Sequence, residues 1–487
     1  MSRESKQEVR ARAVERCRRR NIVIPTLTEQ RDPSRIDRGV ARALEGVDMQ
    51  ATDPLNLFRI TWHNDAQSGG FGPVNVLELP GELTGVRARI VGLVGQHFPT
   101  GAHKVGAAFG CLVPRLVTGE YDPDRQKAVW PSTGNYCRGG AFDSALLGCG
   151  SIAILPEEMS QERFDWLRDI GSEIIATPGC ESNVKEIFDA CWELRESGQE
   201  LVIFNQFEEF GNYLWHRGVT GPAVEEAFGA LSGGRKRFAG WVSATGSAGT
   251  IAAGDHLKRI FPGSFIAASE ALQCPTLLYN GFGAHRIEGI GDKHVPWIHN
   301  ARNTDLVVGI DDESAMRLLR LFNEPEGKRC LVDSGVNEEL VERLSLMGIS
   351  SISNMLSAIK MAKYYELEEE DVVFTTFTDS AQMYRSRLDE LTGQLGAYDG
   401  LSARVDRERR LLGADTDHLK ELSFRERKAI HNLKYFTWVE QQGKTVAELD
   451  ALWSQNYWED LAAELPEWDA QIEAFNADSG ALAAYRQ

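Results

Sequence analysis

Long apolar runs and closely spaced cysteines are both missing from this sequence. No apolar stretch approaches the ~18 residues that a membrane-spanning helix requires, and no signal-peptide core follows the first residues. The eight cysteines are scattered, without a C-x-x-C pair, which predicts reduced, buried thiols rather than a disulfide framework or a metal site. We therefore expect a cytoplasmic protein that neither contacts a membrane nor binds a metal ion.

Positive charge is also in short supply. Lys and Arg number 53 against 71 Asp and Glu, which gives a formal net charge of −18. This balance argues against nucleic acid as a partner. Residues 1–20 are an exception because they are rich in arginine. Since they also contain acidic residues, we interpret them as a solvated basic helix rather than as a transit peptide.

Apolar runs bounded by turn residues recur along the chain and alternate with helix-length periodic segments. This alternation predicts parallel β-sheets covered by helices, which places the chain in the α/β class. After about residue 388 the strand signals stop. The predicted strands lie near residues 87–94, 128–130, 151–155, 174–176, 201–204, 238–242, 265–268, 306–310 and 372–377.

Two segments flank this alternating region. Residues 1–60 are predicted to form an N-terminal helical extension, and residues 389–487 a C-terminal helical extension. The second extension contains four tryptophans in a short region, and we expect these rings to pack in a helical cap or a subunit interface rather than to bind a ligand. They are Trp438, Trp453, Trp458 and Trp468.

A lysine lies at the junction between a predicted strand and a predicted helix. Lys104 follows the apolar segment 87–94 and precedes the helix-like segment 105–116, with glycines at 101 and 106. An amine between apolar segments loses hydration, which lowers its pKa. Lys104 could simply close a loop; the alternative is a nucleophile able to form a Schiff base.

Two further loops have the composition of anion sites. Residues 132–136 (Ser-Thr-Gly-Asn-Tyr) follow a strand and open a helix, so their hydroxyls and amides suit a carboxylate, although an ordinary capped turn looks the same. Residues 245–250 (Thr-Gly-Ser-Ala-Gly-Thr) have a similar position. Their glycines would let the backbone wrap an anion beside a helix N-terminus, with a plain tight turn as the alternative. The spacing fits neither G-x-G-x-x-G nor the P-loop.

Five motifs, in this order, resemble those of the fold-type II pyridoxal-phosphate enzymes, which include cysteine synthases, cystathionine β-synthases, tryptophan synthase β-subunits and serine/threonine dehydratases. They are residues 99–104 (Pro-Thr-Gly-Ala-His-Lys), 131–136, 243–251, 285–296 and 348–351 (Gly-Ile-Ser-Ser), followed by a closing Asp-Ser…Tyr at 379–384. The resemblance covers about residues 74–388. It implies two parallel-sheet α/β subdomains with the cofactor between them, in a catalytic domain that we place at residues 61–388.

The resemblance also implies roles for single residues. Lys104 is expected to hold pyridoxal 5'-phosphate as a Schiff base, Asn135 to bond its ring oxygen, and Ser350, with Ser351 as the alternative, to meet its pyridine nitrogen. The expected phosphate loop has one residue more than the family's cup and consists of Thr245, Gly246, Ser247, Ala248, Gly249 and Thr250. The expected substrate-binding residues are Ser132, Thr133, Gly134, Asn135, Tyr136 and Gly289.

The loop at residues 285–296 departs from the family pattern. Asp292, Lys293 and His294 stand where the family is often smaller and less charged. Charged loop residues are usually solvated. If this cluster faces the cleft, Lys293 or His294 would recognise an anionic group of the substrate or leaving group.

The implied chemistry is β-replacement or β-elimination on a small amino acid. Ser132 stands where tryptophan synthase β-subunits carry a catalytic glutamate, so tryptophan synthesis is not implied. A β-replacing enzyme similar to cysteine synthase is the first hypothesis, and an ammonia-lyase or dehydratase that forms a 2-oxo acid is the alternative. A third hypothesis is a non-catalytic subunit that has kept the fold. We expect a homodimer or a higher homo-oligomer.

Overall fold

The computed structural model describes residues 5–65, 67–132 and 134–486. Every predicted strand is present among them, and helices separate most consecutive strands. The strands are β1 (Val76–Leu79), β2 (Arg89–Val94), β3 (Lys127–Pro131), β4 (Ser151–Pro156), β5 (Glu173–Thr177), β6 (Leu201–Ile203), β7 (Arg237–Ala244), β8 (Phe265–Ala271), β9 (Leu306–Ile310), β10 (Asp371–Phe377) and β11 (Leu419–Glu421).

The α-helices cover both sheets and build the two extensions. They are α1 (Lys6–Arg20), α2 (Leu27–Arg31), α3 (Arg38–Leu44), α4 (Gly81–Thr84), α5 (Lys104–Thr118), α6 (Asn135–Leu146), α7 (Gln161–Asp169), α8 (Val184–Glu196), α9 (Phe210–Trp215), α10 (Gly221–Ala230), α11 (Ile251–Ile260), α12 (Thr276–Tyr279), α13 (Asp312–Asn323), α14 (Pro325–Asp333), α15 (Glu338–Arg343), α16 (Ile349–Tyr364), α17 (Arg385–Leu395), α18 (Gly400–Asp406), α19 (Phe424–Lys434), α20 (Val446–Ala451), α21 (Gln455–Ala462) and α22 (Leu465–Ser479).

Seven strands form the larger sheet, in the order β1-β2-β10-β7-β8-β9-β11. The five inner strands are parallel, whereas β1 and β11 pair antiparallel at the two edges. β10 lies inside the sheet, and all seven of its residues are buried, which explains why its sequence is a continuous run rather than an alternating one. The sheet is therefore mixed, with a parallel centre.

The prediction that strands stop after residue 388 was wrong. β11 pairs with β9, so Leu419 lies opposite Val308 and Glu421 opposite Leu306. This edge strand has only three residues, and two of them, Lys420 and Glu421, are charged. Its sequence therefore carried no apolar run that could reveal it, and only the pairing with β9 defines it.

Four strands form the smaller sheet, in the order β5-β4-β3-β6, and all of them are parallel. Helices α6, α7 and α8 pack against it. The α/β class with two sheet-based subdomains is thus confirmed. All eight cysteine thiols are free, and all but Cys149 are buried, as expected from their scatter. No helix in the described ranges is long and apolar enough to cross a bilayer.

The sequence suggested a solvated basic helix at residues 1–20, but helix α1 has one face that is shielded from solvent. Its face at Ala13, Val14 and Cys17 is buried. Two of its arginines pair with acidic residues of the loop before β3, since Arg12 lies 2.5 Å from Asp122 and Arg16 lies 2.5 Å from Asp124. The positive charge of α1 is therefore used to attach the helix to the main body.

Two of the four C-terminal tryptophans pack in the interior, whereas Trp453 and Trp468 are half-buried. The rings of Trp438 and Trp458 are fully buried. The Trp438 Nε1 donates a 2.9 Å hydrogen bond to the Val295 carbonyl, within the charged loop 285–296. The C-terminal extension thus packs against the charged loop 285–296. The boundaries at residues 60 and 388 stay predictions.

The N-terminal and C-terminal extensions also contact each other. The side chain of Asn476 in α22 makes two bonds to the backbone of Ile24, accepting from its N–H at 3.1 Å and donating to its carbonyl at 2.7 Å. Asp469 accepts a 2.7 Å bond from the Leu27 N–H. Ile472 and Phe475 of α22 belong to the same apolar core as α1. The two extensions thus form one layer on the main body.

Candidate active site

A pocket lies at the carboxyl ends of strands from both sheets. Ligand sites of open α/β sheets form at this edge because the loops after parallel strands converge there. The pocket is lined by Lys104, Ser132, Asn135, Tyr136, Glu181, Val184, Gln206, Phe207, Gly246, Ser247, Gly289, Ile290, Gly291, Asp292 and Thr378. Residues from four of the predicted motifs thus meet in one place.

Lys104 enters this pocket at the first residue of α5. β2 ends at Val94, and two short 3₁₀ turns at Gly95–His97 and Pro99–Gly101 carry the chain to the helix. The Lys104 Nζ donates a 3.0 Å hydrogen bond to the Ser247 Oγ. The same hydroxyl accepts a 3.0 Å bond from the Asn212 Nδ2, so Lys104 is oriented by a residue of the loop predicted to bind phosphate.

The surroundings of Lys104 lower the pKa of its amine. Burial lowers its pKa from 10.5 to about 8, because the charged form loses hydration, and the nearby Glu181 carboxylate opposes this shift. At pH 7 about a tenth of the amine is therefore uncharged and nucleophilic. The neighbouring His103 points elsewhere and contacts the rings of Trp62 and His216.

The loop at residues 245–250 is shaped for close approach of an anion. Its amides from 246 to 250 donate to no acceptor among the described residues, and α11 begins directly after it. Ala248 has a φ of 61°, in the left-handed region that non-glycine residues rarely adopt. A Cβ on Gly249 would lie 2.0 Å from the Asn212 side chain. Of this loop, Gly246 and Ser247 line the pocket.

The loop at residues 132–136 lies opposite, at the N-terminus of α6. Ser132, Asn135 and Tyr136 line the pocket, whereas Thr133 lies outside the described residues. Gly134 has a φ of 149°, and a Cβ there would lie 2.3 Å from Arg163. The helix N-terminus supplies amides and a favourable dipole, as a carboxylate needs. The predicted contact with the substrate carboxylate stays a prediction.

A buried polar network connects Asn135 to the larger sheet. Its Nδ2 donates a 2.7 Å bond to the Asp379 carboxylate, which also accepts a 2.7 Å bond from the Tyr384 hydroxyl. The Arg163 guanidinium donates to the same hydroxyl at 3.0 Å and forms a buried ion pair with Glu288. The Asn135 amide is thus held by Asp379, and its predicted bond to the cofactor ring stays a prediction.

The structure distinguishes the two candidate serines at the start of α16. The Ser350 hydroxyl is buried and has no hydrogen-bond partner among the described residues. It lies beside Gly289, and a Cβ added to that glycine would be 3.5 Å from the Ser350 Oγ. The Ser351 hydroxyl instead donates to the Asp379 carbonyl at 3.4 Å. Ser350 is therefore the hydroxyl that can accept a new partner.

The charged loop after Gly291 presents a different residue from the one expected. Asp292 lines the pocket, whereas Lys293 lies 3.9 Å from Glu186. His294 contacts Asp292, with its Nδ1 3.0 Å from the Oδ1. The pocket lining thus includes the carboxylate of Asp292 rather than Lys293 or His294, the two residues that the sequence offered for an anion if the loop faced the cleft.

Glu181, Gln206 and Phe207 were not among the predicted site residues. Glu181 follows β5 by four residues, and Gln206 follows β6 by three. Both strands belong to the parallel sheet, so the rule that loops meet at the carboxyl edge could have indicated them. No local motif marks these residues, which is why sequence patterns alone passed over them.

The pocket fits pyridoxal 5'-phosphate. It combines a lysine amine with lowered pKa, a loop of free amides at a helix N-terminus, and the unpartnered Ser350 hydroxyl. These suit, respectively, an aldehyde, a phosphate and a heterocyclic nitrogen. The glycine at 289 leaves room beside Ser350 that a side chain would fill.

Two curated relatives and two solved structures illustrate the similarity. The chain is 28% identical over 289 residues to a probable cysteine synthase of Bacillus subtilis (59% of this chain, 85% of the relative). It is 24% identical to the cystathionine β-synthase of Saccharomyces cerevisiae, over 67% of this chain and 62% of that one.

The two solved structures agree with this fold. One is a cysteine synthase of Entamoeba histolytica, with a TM-score of 0.57 and 21% identity over 70% of this chain and 92% of that one. The other is an O-acetylserine-dependent cystathionine β-synthase of Helicobacter pylori, with a TM-score of 0.54 and 22% identity over 64% of this chain and 94% of that one.

The family model described as pyridoxal-phosphate dependent enzyme matches residues 68–378. This stretch contains both sheets except the edge strand β11, and all the pocket-lining residues. The chain belongs to the family of pyridoxal-phosphate-dependent enzymes, and its cofactor is pyridoxal phosphate.

Proposed function

We propose that this enzyme exchanges the β-substituent of a small amino acid, in the manner of the cysteine and cystathionine β-synthases that it resembles. The observation that carries the proposal is the buried, unpartnered hydroxyl of Ser350 in the place expected for the pyridine nitrogen. A neutral hydroxyl leaves that nitrogen unprotonated, which favours rapid loss of a β-substituent over a long-lived carbanion.

The cofactor would be held by residues from both sheets. Lys104 would bind its aldehyde carbon, the loop of Thr245, Gly246, Ser247, Ala248, Gly249 and Thr250 its phosphate, and Ser350 its ring nitrogen. Asn135, oriented by Asp379, would contact the ring oxygen. When bound, the cofactor supplies the electron-withdrawing system that allows the Cα proton to leave.

Lys104 would then act as the base at the Cα proton. A base must be uncharged, and the lowered pKa of about 8 makes a neutral amine accessible near physiological pH. The Ser247 hydroxyl accepts a 3.0 Å hydrogen bond from the Nζ, and this contact would keep the free amine in the pocket. Substrate binding would use Ser132, Thr133, Gly134, Asn135, Tyr136 and Gly289, with the carboxylate at the N-terminus of α6.

β-Elimination to a 2-oxo acid is the second candidate, because it shares every step up to loss of the β-substituent. It differs only in whether a nucleophile is held in the pocket before water arrives. The third, a non-catalytic subunit, is disfavoured by the lowered pKa of Lys104 and by the unpartnered Ser350 hydroxyl in the same pocket region. We further propose a catalytic domain at residues 61–388 between extensions 1–60 and 389–487, a homodimer or larger homo-oligomer, and a cytoplasmic location.

A substrate panel tests the proposal. The cofactor-loaded enzyme is given O-acetylserine, O-phosphoserine, cysteine or 2,3-diaminopropionate, with and without added thiols and amines. We expect a new amino acid, detected by mass spectrometry, when a nucleophile is present. Pyruvate formation that no added nucleophile reduces would favour elimination, and no conversion of any of these amino acids would contradict the whole class.

A further inference from the structure

Arg138 is a buried cation beside the candidate site that has no acidic partner. The residue is 2% exposed, and no carboxylate of the described residues pairs with its guanidinium. Its Nε also has no hydrogen-bond partner among them. Burial lowers the pKa of Arg138 to about 10, because the charged form loses hydration. A buried charge is costly unless a partner compensates it, so the retention of this cation needs an explanation other than ion pairing.

The Arg138 guanidinium connects two of the loops that form the site. Its Nη2 donates a 2.7 Å hydrogen bond to the Thr100 carbonyl, and its Nη1 donates a 3.4 Å bond to the Asn135 Oδ1. Thr100 belongs to the turn before Lys104, and Asn135 opens α6. Since a planar guanidinium presents its donors in a fixed geometry, the two bonds set one loop relative to the other. The Arg138 Cζ also lies 4.7 Å from the centre of the Trp166 ring, which supports the plane.

The peptide that Arg138 holds at Thr100 has a strained conformation. Thr100 has a φ of 70° and a ψ of −5°, in the left-handed region that a β-branched residue rarely adopts. Its N–H donates to the Gln50 Oε1 at 3.2 Å, while its carbonyl accepts from Arg138. Such backbone persists where contacts from several sides determine it. Because Thr100 lies four residues before Lys104, its conformation sets the direction in which the chain enters α5.

The same guanidinium fixes the orientation of the Asn135 amide. The Oδ1 accepts from Arg138, and the Nδ2 donates one of its two protons to Asp379 at 2.7 Å. Rotation of the amide by half a turn would break both bonds, so the second Nδ2 proton stays directed away from Asp379. A cation at the Oδ1 also polarises the amide, which strengthens the N–H donors at its other end.

We infer that Arg138 is a positioning residue of the cofactor site, which holds the Thr100 backbone before Lys104 and the Asn135 donor for the cofactor ring oxygen. Arg138 itself lies outside the set of described residues that line the pocket, so it acts through these contacts. The inference rests on the Lys104 and Asn135 contacts of the proposed function. It does not depend on which β-substituent is exchanged.

Two replacements of Arg138 test this role. Arg138→Met keeps an unbranched side chain but removes the charge and both bonds, so it should lower cofactor affinity about tenfold or more. It should also shift the visible absorption of the loaded enzyme, which depends on the hydrogen bond to the ring oxygen. Arg138→Lys keeps the charge without the planar fork, and it should recover part of the affinity and of the wild-type absorption.

Arg320→Met is the matched control, because Arg320 makes contacts of the same kind away from the pocket. Arg320 is 1% exposed, its Cζ lies 4.7 Å from the centre of the Tyr398 ring, and its Nη2 donates a 2.9 Å bond to the Gly396 carbonyl. Both methionine variants should lower the urea midpoint of unfolding, but only Arg138→Met should change cofactor affinity and absorption. A loss of stability in Arg138→Met without these two changes would overturn the inference and leave a purely structural role.

Asn135→Ala separates the inference from the proposed function. Its absorption should shift in the same direction as that of Arg138→Met, because both changes weaken the donor at the ring oxygen. A shift in Asn135→Ala that Arg138→Met does not reproduce would overturn the inference and leave the ring contact intact. The absence of a shift in both variants would contradict the ring contact and the inference together. Since these measurements need no turnover, the expected shifts in an enzyme without replacement activity would contradict the proposed reaction alone.

Discussion

The side-chain amide of Asn135 donates a 2.7 Å hydrogen bond to the carboxylate of Asp379, and this bond joins the two sheets. Asn135 opens α6 directly after β3 of the smaller sheet, and Asp379 follows β10 inside the larger one. Burial raises the pKa of Asp379, and the Arg163 guanidinium opposes that shift. Any contact of Asn135 with the cofactor therefore depends on the relative position of both sheets.

Lys104 is expected to be the lysine that the cofactor binds. Borohydride reduction of the loaded wild-type enzyme should attach the cofactor to Lys104, as peptide mass spectrometry can show, and Lys104→Ala should abolish the attachment. Lys360→Met, which alters another buried lysine whose Nζ donates to the Asp417 carbonyl, should retain it. Covalent cofactor on any lysine of the Lys104→Ala protein would contradict the assignment.

Capture of the cofactor should depend on pH through Lys104. The reactive form is the neutral amine, and its pKa is lowered to about 8. In the cofactor-free protein the capture rate should rise with pH, reach half its maximum near pH 8, and then level off. A free lysine side chain, with its pKa at 10.5, should keep accelerating through that range. A stopped-flow profile that also keeps rising beyond pH 9 would show that Lys104 is not desolvated.

A methyl group at Gly249 should weaken cofactor binding. Its Cβ would lie 2.0 Å from the Asn212 side chain, which donates to the Ser247 hydroxyl that orients Lys104. Overpacking of this kind costs about 1–3 kcal/mol, so Gly249→Ala should lower cofactor affinity about tenfold or more.

The control for this change is a glycine with free space around it. Gly229 in α10 has no atom within 4 Å of a Cβ position, and Gly229→Ala should leave affinity unchanged while stabilising the helix by about 0.5–1 kcal/mol. Fluorescence titration with the cofactor measures both variants. Equal affinities for the two would remove the loop 245–250 from the site.

Ser350 and Ser351 should respond differently to removal of their hydroxyls. Ser350→Ala breaks no hydrogen bond of the described structure, so the cofactor-free protein should lose no stability, whereas the visible absorption of the loaded enzyme should shift. Ser351→Ala removes the bond to the Asp379 carbonyl and should cost about 0.5–1.5 kcal/mol of unfolding free energy without a spectral shift. The opposite pattern would assign the ring contact to Ser351.

Arg163 is expected to be the strongest stabilising contact between the two subdomains. Arg163→Met would leave the buried Glu288 carboxylate with Arg387, 2.7 Å away, and with a 3.4 Å hydrogen bond from the Ser160 N–H. Breaking a buried ion pair costs about 3–5 kcal/mol, and we expect the lower end of this range because Arg387 remains. Urea unfolding provides the measurement.

Arg168→Met on the same helix is the matched control. Arg168 pairs with Asp165 at the surface, where both side chains are 59% exposed, and such pairs contribute about 0–1 kcal/mol. Similar losses in the two variants would indicate that the Arg163 network adds nothing beyond an ordinary surface pair.

The parts of the candidate site that lie next to a strand or helix with a clear apolar pattern could be predicted from the sequence. The junction at Lys104, the loop before α11 and the serines at the start of α16 each lie directly after or before an element with a clear apolar signal, so their positions followed from sequence. The choice between Ser350 and Ser351 required the structure, since it depends on which hydroxyl faces Gly289 and which faces the Asp379 carbonyl.

Residues whose role arises from distant contacts could not be predicted in this way. Gln206 and Glu181 reach the pocket because β6 and β5 pair in the same sheet as β3, a relationship that no spacing in the sequence encodes. The sequence left open whether Lys293 and His294 are solvated or face the cleft, because the packing of the loop against Glu186 and Asp292 decides their direction. The edge strand β11 is a third case of the same kind.

The layer formed by the two extensions has a consequence for biosynthesis. The backbones of Ile24 and Leu27 form hydrogen bonds with Asn476 and Asp469, which the ribosome adds more than four hundred residues later. At about 5–20 residues per second, the N-terminal helices must wait tens of seconds with the apolar face of α1 incompletely covered. Nascent chains arrested before residue 469 should therefore be the form that chaperones bind, even though every residue of the pocket has by then been made.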